Sequence, residues 1–233
     1  MAHLGYKISR TAVYRIMKDA GINSDPEEKK KSNWAQFIKT HMHVMAACDF
    51  FHVEVITKRG LVRCSILFFI ELNSRRVHMS PAKVDPTSEW VDQQIKNYCN
   101  FDQGILDNRE YLIHDRDPLF VAEKVQSTLD TSGVESIKTA PFSPNQNSFS
   151  EAYVARIRDE MFNKVIFTSK EQLDYAIKSY EEYYNRWRPH QGLDGKLIDP
   201  LPQDKDGQIV CKEFMGGLLK GYRRVKKRPD IAA

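Results

Sequence analysis

Residues 44–55 read VMAACDFFHVEV, in which an apolar, strand-like run leads directly into Asp49. An unpaired charge inside an apolar strand is costly, so this carboxylate needs an arginine, hydrogen-bond donors or a metal ion as its partner. The other acid of the run, Glu54, lies where the strand becomes polar and exposed. Asp49 is therefore the stronger candidate for a functional carboxylate.

Two further acids follow in similar local contexts. Residues 111–120 read YLIHDRDPLF, so that Asp115 ends a second apolar run, and residues 143–151 read SPNQNSFSE and end on Glu151. Asp117 precedes Pro118 and an apolar-periodic helix, which predicts that it caps this helix. Hard divalent cations take oxygen ligands, and two of them can stabilise both reacting oxygens of a phosphodiester. These acids are thus candidates for a metal site.

Residues 183–193, YYNRWRPHQGL, add a fourth stretch. Together the four resemble the DDE integrase core of bacterial insertion-sequence transposases, relatives of retroviral integrases, and the resemblance covers roughly residues 40 to 200. Residues 116–150, thirty-five in all, separate Asp115 from Glu151, a spacing that matches the family from Asp115 and not from Asp117. The resemblance implies that Asp49, Asp115 and Glu151 are the catalytic residues and bind two Mg²⁺ or Mn²⁺ ions.

The same resemblance indicates candidate DNA contacts. In the family, a basic residue seven positions after the glutamate contacts the DNA end, and that residue is Arg158 here. Asn147 matches a family asparagine and either caps the helix or orients substrate. Arg188 and His190 either contact DNA or end the helix and pack the core. A basic run near the C-terminus is predicted to add phosphate contacts: Lys220, Arg223, Arg224, Lys226, Lys227 and Arg228.

Helical periodicity tests Glu151 independently. At about 100° per residue, an apolar stripe runs along one side of the predicted helix. Glu151 and Arg158 fall on roughly the opposite side, which leaves them free to meet a substrate or, as the alternative, to form a solvated ion pair. The stripe consists of Phe149, Tyr153, Ile157 and Met161.

The pattern of elements predicts an α/β protein. Strands followed by alternating strands and helices indicate a mixed sheet flanked by helices, and the resemblance implies an RNase H-like fold with five strands. The predicted strands cover about 43–57, 61–71, 75–80, 110–114 and 134–138. The predicted helices cover 8–20, a segment from Asp85 as N-cap to about 99, 118–131, the Glu151 segment, and 170–187.

We divide the chain into three parts. Residues 1–35 hold a helix similar to the recognition helix of a helix-turn-helix, or a plain amphipathic helix, followed by a linker. Residues 36–200 form the catalytic core, and residues 201–233 a basic, solvated C-terminal tail.

Composition narrows the class further. A net charge of +4 and a pI near 8.7 are mildly basic, and 41% hydrophobic residues support a packed core. Neither a membrane-length apolar run nor a signal-peptide pattern is present, and four scattered cysteines predict free thiols. We therefore expect a cytoplasmic protein, associated with the nucleoid if bacterial, and no membrane partner.

The function implied is that of a DNA transposase or integrase, a two-metal polynucleotidyl transferase that cleaves DNA and transfers strands. Its expected partners are double-stranded DNA (transposon ends and target), further copies of itself on that DNA, and a separate helix-turn-helix protein. Two alternatives stay open: a simple RNase H-like nuclease, and a non-catalytic DNA-binding relative with a targeting or regulatory role.

Overall fold

The computed structural model describes residues 9–20, 26–99, 105–106, 108–140 and 147–226. The chain divides into two compact units, Met1–Met42 and His43–Ala233, so the first unit extends beyond the expected boundary at residue 35. Within the described residues, no helix has both the length and the apolar character needed to cross a membrane.

The first unit contains helices α1, Arg10–Asp19, and α2, Pro26–His41. Ser9 caps α1 as its side chain accepts a hydrogen bond from the Ala12 N–H at 3.2 Å. The linker expected for residues 22–36 is wrong from residue 26 onward. The sequence PEEKKK explains the difference, because a first-turn proline and early acids ahead of lysines favour a helix start.

The second unit is built on a five-stranded sheet in the order β3-β2-β1-β4-β5. Its strands are β1 Met45–Thr57, β2 Gly60–Glu71, β3 Val77–Met79, β4 Tyr111–His114 and β5 Glu135–Lys138. Strands β1, β2 and β3 pair antiparallel, whereas β4 runs parallel to both β1 and β5. This confirms the mixed five-stranded sheet that the sequence predicts.

Helices cover both faces of this sheet. They are α3 Ser88–Cys99, α4 Pro118–Val121, α5 Glu123–Thr131, α6 Ser148–Glu160 and α7 Lys170–Arg186. One face packs on α3 and α5 through Cys48 and Val91, among other buried residues. The opposite face packs on α6 and α7, where the ring of Phe68 contacts Tyr153 of α6. Because side chains alternate along a strand, the odd-numbered positions of β1, including Asp49, lie on the α6 side.

Two predicted helix boundaries need correction. Asp85 does not cap α3, because its backbone is left-handed at φ 46° and the helix begins only at Ser88. Thr87 takes that role, as its hydroxyl oxygen accepts from the Trp90 N–H at 3.3 Å. The helix expected over 118–131 is interrupted at Ala122, where ψ is 136°, so it forms two helices.

The prediction of a solvated tail from residue 201 is wrong for residues 208–225, which form two strands. Strands β6, Gln208–Phe214, and β7, Leu219–Val225, pair antiparallel as a hairpin. Its inner face packs beside α7, where the Trp187 and Phe214 rings lie 6.1 Å apart. A Cβ added to Gly221 would come within 2.6 Å of the Trp187 Cβ, so only glycine allows this close approach. The sequences of the two strands, QIVCKEF and LKGYRRV, do not alternate between apolar and charged residues, so periodicity did not indicate them.

Helix α7 anchors the edge strand β3 through one buried amide. The Asn185 side chain accepts from the Val77 N–H at 3.0 Å and donates to the Val77 carbonyl at 2.8 Å. It thereby satisfies both backbone groups of Val77, which lie on the free side of β3. The asparagine of the YYN motif thus has a structural role.

We expect Asn185→Ala to lower the free energy of unfolding by about 1–3 kcal/mol, because it leaves the Val77 N–H and carbonyl buried without partners. Urea denaturation would measure the loss. Asn97→Ala, at an exposed position of α3, is the matched control and should change stability by less than about 0.5 kcal/mol. An equal effect of the two substitutions would contradict the anchoring role.

Candidate active site

Asp49 lies within the central strand β1 and faces α6. Its Oδ1 accepts a hydrogen bond from the Phe50 N–H at 2.7 Å. Burial and the charges of Asp115, Glu151 and Asp117 together raise the pKa of Asp49 to about 6, although the hydrogen bond from the Phe50 N–H opposes the rise. The carboxylate therefore experiences the negative charge of all three neighbouring acids.

Asp115 follows β4 directly, and hydrogen bonds hold both its side chain and its backbone carbonyl. Its Oδ1 accepts from the Asp117 N–H at 3.0 Å. The fully buried His114 ring has Nδ1 2.6 Å from the Asp115 carbonyl oxygen and Nε2 2.7 Å from Ser136 Oγ on β5. Burial lowers the pKa of His114, which keeps the ring neutral, so that Nδ1 donates and Nε2 accepts. This histidine ties the end of β4 to β5.

Sequence reasoning missed His114 as a residue that positions the site. The available signal was its place in the run YLIHD, where a polar ring interrupts an apolar strand immediately before the candidate acid. A buried polar group of this kind needs hydrogen-bond partners, and here they hold the backbone of Asp115.

Asp117 caps a helix, as predicted. Its Oδ1 accepts from the Leu119 N–H at 2.8 Å at the start of α4. Its charge also raises the pKa of Asp49, but less than the charges of Asp115 and Glu151 do. Of the two neighbouring aspartates, Asp115 therefore interacts more strongly with Asp49.

Asn147 occupies the N-cap position of α6 but makes no side-chain capping hydrogen bond. Its Nδ2 instead donates to Asp49 Oδ2 at 3.4 Å, and its buried Oδ1 has no hydrogen-bond partner in the described part of the chain. The capping interpretation is thus wrong for the side chain. Asn147 is only 7% exposed, and the contact of its side chain in this structure is the hydrogen bond to Asp49.

Helix α6 presents Glu151 as the periodicity predicts. Of the predicted stripe, Tyr153, Ile157 and Met161 are buried and Phe149 is only half-buried, whereas Glu151 and Arg158 are exposed. Burial lowers the pKa of His52 on β1, and the nearby charges of Arg63 and Arg158 lower it further. Arg158 therefore lies close enough to β1 for its charge to affect the His52 side chain.

The three candidate carboxylates do not form a closed metal site in this structure. Among the described residues, no three Asp, Glu, His or Cys side chains lie close enough together to hold a metal ion, so the expected coordinating distance is not reached. The donor chemistry nevertheless fits a hard divalent cation: carboxylate oxygens, plus the unpartnered amide oxygen of Asn147 beside Asp49.

Arg188 and His190 are engaged by the protein itself. Arg188 donates through Nε and Nη2 to Glu160 Oε1 at 3.0 and 2.8 Å, and its side chain is 13% exposed. The His190 Nε2 lies 2.8 Å from the Tyr184 carbonyl oxygen, and this residue is 5% exposed. Their contacts favour the alternative in which both residues end α7 and pack the core.

The predicted basic tail distributes its cations over the β6–β7 hairpin. Arg223 stacks over Trp187, with Cζ 5.2 Å from the ring centroid. Arg224 is exposed and donates to the Gly207 carbonyl at 3.0 Å, and Lys226 is exposed. Lys220 pairs with Glu213 at 3.1 Å. Lys227 and Arg228, for which phosphate contacts are predicted, lie outside the described residues.

Comparison with known proteins supports the family resemblance. Residues 132–197, which include Glu151 and α6, match the family model of the integrase core domain. Over 76 residues, 33% of the chain, the sequence is 33% identical to an uncharacterised 39.2 kDa protein of insertion element IS476 from Xanthomonas euvesicatoria. Over 87 residues, 36% of the chain, it is 30% identical to the transposase of IS904 from Lactococcus lactis subsp. lactis (strain IL1403).

These alignments span 22% and 34% of the two relatives' lengths. Among solved structures, the catalytic domain of Mos1 mariner transposase is similar at a TM-score of 0.51 and 16% identity, over 68% of this chain and 81% of that domain. The structural likeness confirms the RNase H-like fold, and the sequence matches confirm the resemblance to the DDE transposase/integrase catalytic core.

The raised pKa of Asp49 predicts a pH-dependent stability difference. The folded state raises the pKa from 3.8 to about 6, so ionisation of Asp49 penalises folding as pH rises through this range. Without divalent ions, Asp49→Asn should be more stable than the unsubstituted protein by roughly 2–3 kcal/mol above about pH 7, and equally stable below about pH 4. Urea denaturation across pH with a chelator measures this difference.

Asp159→Asn, at an exposed position of α6, is the control and should show no comparable gain. A gain for Asp49→Asn that is the same at every pH would contradict the electrostatic explanation. It would indicate a change in packing instead.

Proposed function

We propose that this chain contains the catalytic core of a DNA transposase or integrase, which cleaves DNA strands and joins a 3′-hydroxyl end to target DNA. Asp49, Asp115 and Glu151 would hold the divalent ions, two Mg²⁺ or Mn²⁺. The observation that carries the proposal is the desolvated Asp49 carboxylate, whose pKa Asp115 and Glu151 raise, within a chain that resembles the DDE core.

The three candidate acids are held in place to different degrees. Asp49 is fixed by β1 and by the Asn147 amide, and Asp115 by its hydrogen bond from the Asp117 N–H. Glu151 projects from an exposed position of α6 and would have to turn toward the aspartates to share an ion with them. Bound divalent ions supply activation of the attacking water or 3′-hydroxyl and neutralisation of charge on the leaving oxygen.

Electrostatics favours the ion-bound arrangement. A cation next to Asp49 lowers the pKa of this carboxylate and removes the repulsion among the acids. The same cation screens the carboxylate charges, so the negatively charged phosphodiester experiences less repulsion as it approaches the site. Arg158, on the exposed side of α6 with Glu151, would bind a phosphate of the DNA end.

Partner and domain assignments extend the proposal. A homo-oligomer on transposon ends and target DNA would place one active site at each end of the element. A separate helix-turn-helix protein would add recognition of the end sequence to the single helix α1. Such an enzyme would work where its DNA is, at the nucleoid in the cytoplasm of a bacterium.

We expect Asp49→Asn, Asp115→Asn and Glu151→Gln each to lower strand cleavage by at least about 10³-fold and to retain DNA binding, because each removes a charged ligand and preserves shape. A gel assay with labelled insertion-sequence end DNA and Mn²⁺ measures cleavage and strand transfer together. Binding is measured on the same DNA in Ca²⁺.

Asp117→Asn is the matched control, since asparagine also caps helices well and the charge change equals that of Asp115→Asn. It should cleave at close to the unsubstituted rate. Loss of activity in Asp117→Asn with normal activity in Asp115→Asn would reverse the assignment. Cleavage without any strand transfer would identify a simple nuclease, and binding without cleavage a non-catalytic relative.

The hairpin predicts a sequence-independent contribution to DNA affinity. Arg224 and Lys226 are exposed, so Arg224→Gln with Lys226→Gln should weaken binding to end DNA and random DNA alike. The double variant should reduce the log–log salt slope by roughly 1.8, at about 0.9 per phosphate contact. Equilibrium binding at a series of salt concentrations provides the slope.

Lys58→Gln, in the exposed β1–β2 turn, serves as the control and should leave the slope unchanged. If the double variant loses affinity only for end DNA, the hairpin reads sequence and the prediction fails. Arg223→Gln should act differently, through stability, because its guanidinium stacks on Trp187.

A further inference from the structure

A cleft of about 580 Å³ opens between α6, the β2–β3 turn and the segment that follows α7. Three arginines line it, each from a different element: Arg75 from the turn, Arg156 from α6 and Arg188 from the end of α7. Phe149 and Tyr184 line it as well. None of the three candidate catalytic acids is among the lining residues, so the cleft is separate from the acidic site.

The positive charge of this cleft is only partly neutralised. Glu160 accepts three hydrogen bonds from Arg188, and its contact with Arg156 is a looser 3.9 Å. The Arg75 guanidinium makes no ion pair or side-chain hydrogen bond within the described residues. Three guanidinium groups thus face one carboxylate, which leaves an excess of two positive charges.

Arg75 is held in place by an aromatic ring instead of an anion. Its Cζ lies 4.1 Å from the centroid of the Phe149 ring, a cation–π distance. The residue is half-buried, and burial lowers the pKa of Arg75. A partly desolvated cation without an anionic partner is a group that gains from binding an anion.

The electrostatic effects on Tyr184 show that the three arginines act together. Burial raises the pKa of Tyr184, and the charges of Arg188, Arg156 and Arg75 oppose the rise. All three cations therefore lie close enough to act on one phenol within the cleft. An anion at this place would interact with each of them.

Helix α6 connects the cleft with the candidate active site. Ser148, Ala152 and Arg156 line the cleft at four-residue intervals, and they lie about 60–140° around the helix from Glu151. Ser148 and Ala152 are small, which leaves the surface between the two sites open. A nucleic-acid strand that passes Glu151 can therefore continue across α6 toward the arginines.

We infer that this cleft binds, through Arg75 and Arg156, a backbone phosphate of duplex DNA beyond the phosphodiester that reacts. Arg188 stays bound to Glu160 and adds positive charge without direct contact. Guanidinium groups bind phosphate oxygens in pairs and with defined geometry, and Phe149 orients one of them in advance. The inference rests on the proposed function in that it takes DNA as the ligand. It adds a second contact that fixes the path of the strand relative to Glu151.

The test is equilibrium binding of the whole chain to a random-sequence duplex at a series of salt concentrations. Arg75→Gln with Arg156→Gln should reduce the log–log salt slope by roughly 0.9, because the cleft loses its contact with one phosphate. Arg59→Gln, an exposed arginine in the β1–β2 turn at the other end of these strands, is the matched control and should keep the slope.

A charge-preserving pair separates contact from folding damage. Arg75→Lys with Arg156→Lys should retain most of the slope, and a loss equal to that of the glutamine pair would overturn the inference. So would an unchanged slope in the glutamine pair while the unsubstituted protein binds DNA, an outcome that leaves the proposed function intact. Failure of the unsubstituted protein to bind duplex DNA would overturn the cleft assignment and the proposed function together.

Discussion

The carboxylate of Asp49 is the group around which the rest of the second unit is arranged. It lies in the central strand of the sheet, where burial and the charges of Asp115, Glu151 and Asp117 raise its pKa to about 6. A charged group in this position is unfavourable for folding unless something compensates it. Only partial compensation is present within the described residues, from the Phe50 N–H and the Asn147 amide. The structure thus maintains an electrostatic penalty that a divalent cation would remove.

The surrounding elements hold the neighbouring acids near Asp49 by separate means. The parallel pairing of β1 with β4 brings the end of β4, and hence Asp115, alongside the central strand. His114 secures that strand end to β5, and Asp117 begins the helix that follows. Glu151 arrives from α6, whose buried side packs on the sheet. Each acid is therefore supplied by a different element, so that no single local sequence defines the site.

Much of this arrangement could be predicted from the chain alone. Strand alternation predicted the sheet, because burial patterns have distinct periods in strands and helices. The apolar runs also placed Asp49 in a strand and Asp115 at a strand end, whereas a coordinating approach of all three acids is not present among the described residues. Local contexts also distinguished Asp117, a cap before proline, from Asp115. The side-chain contacts of Asn147 and Arg188 could not be obtained in this way. Both residues lie at helix ends, where the same residue types can cap the helix, pack against the core or contact a ligand. Which of these roles a residue has depends on its neighbours in the folded structure.

Misassigned segments show the same limit. Lysine and arginine runs indicated a linker before the core and a tail after it, yet α2 and the β6–β7 hairpin form there. A run of charged residues predicts that their side chains are exposed, but it does not predict whether the backbone forms a helix, a strand or a coil. In the hairpin, the decisive feature is the close packing of Gly221 on Trp187, a contact between residues far apart in sequence. Asp85 was misjudged as a cap because its left-handed backbone depends on the turn that precedes α3.

The central claim is that Asp49, Asp115 and Glu151 together form one divalent metal site. Crystals of the protein grown with Mn²⁺ and measured at a wavelength where manganese scatters anomalously test it most directly. The account predicts anomalous peaks at coordination distance from the carboxylates of Asp49 and Asp115, with Glu151 turned toward them. Peaks at Asp117 in place of Asp115, or an ordered site without manganese at saturating concentration, would contradict it.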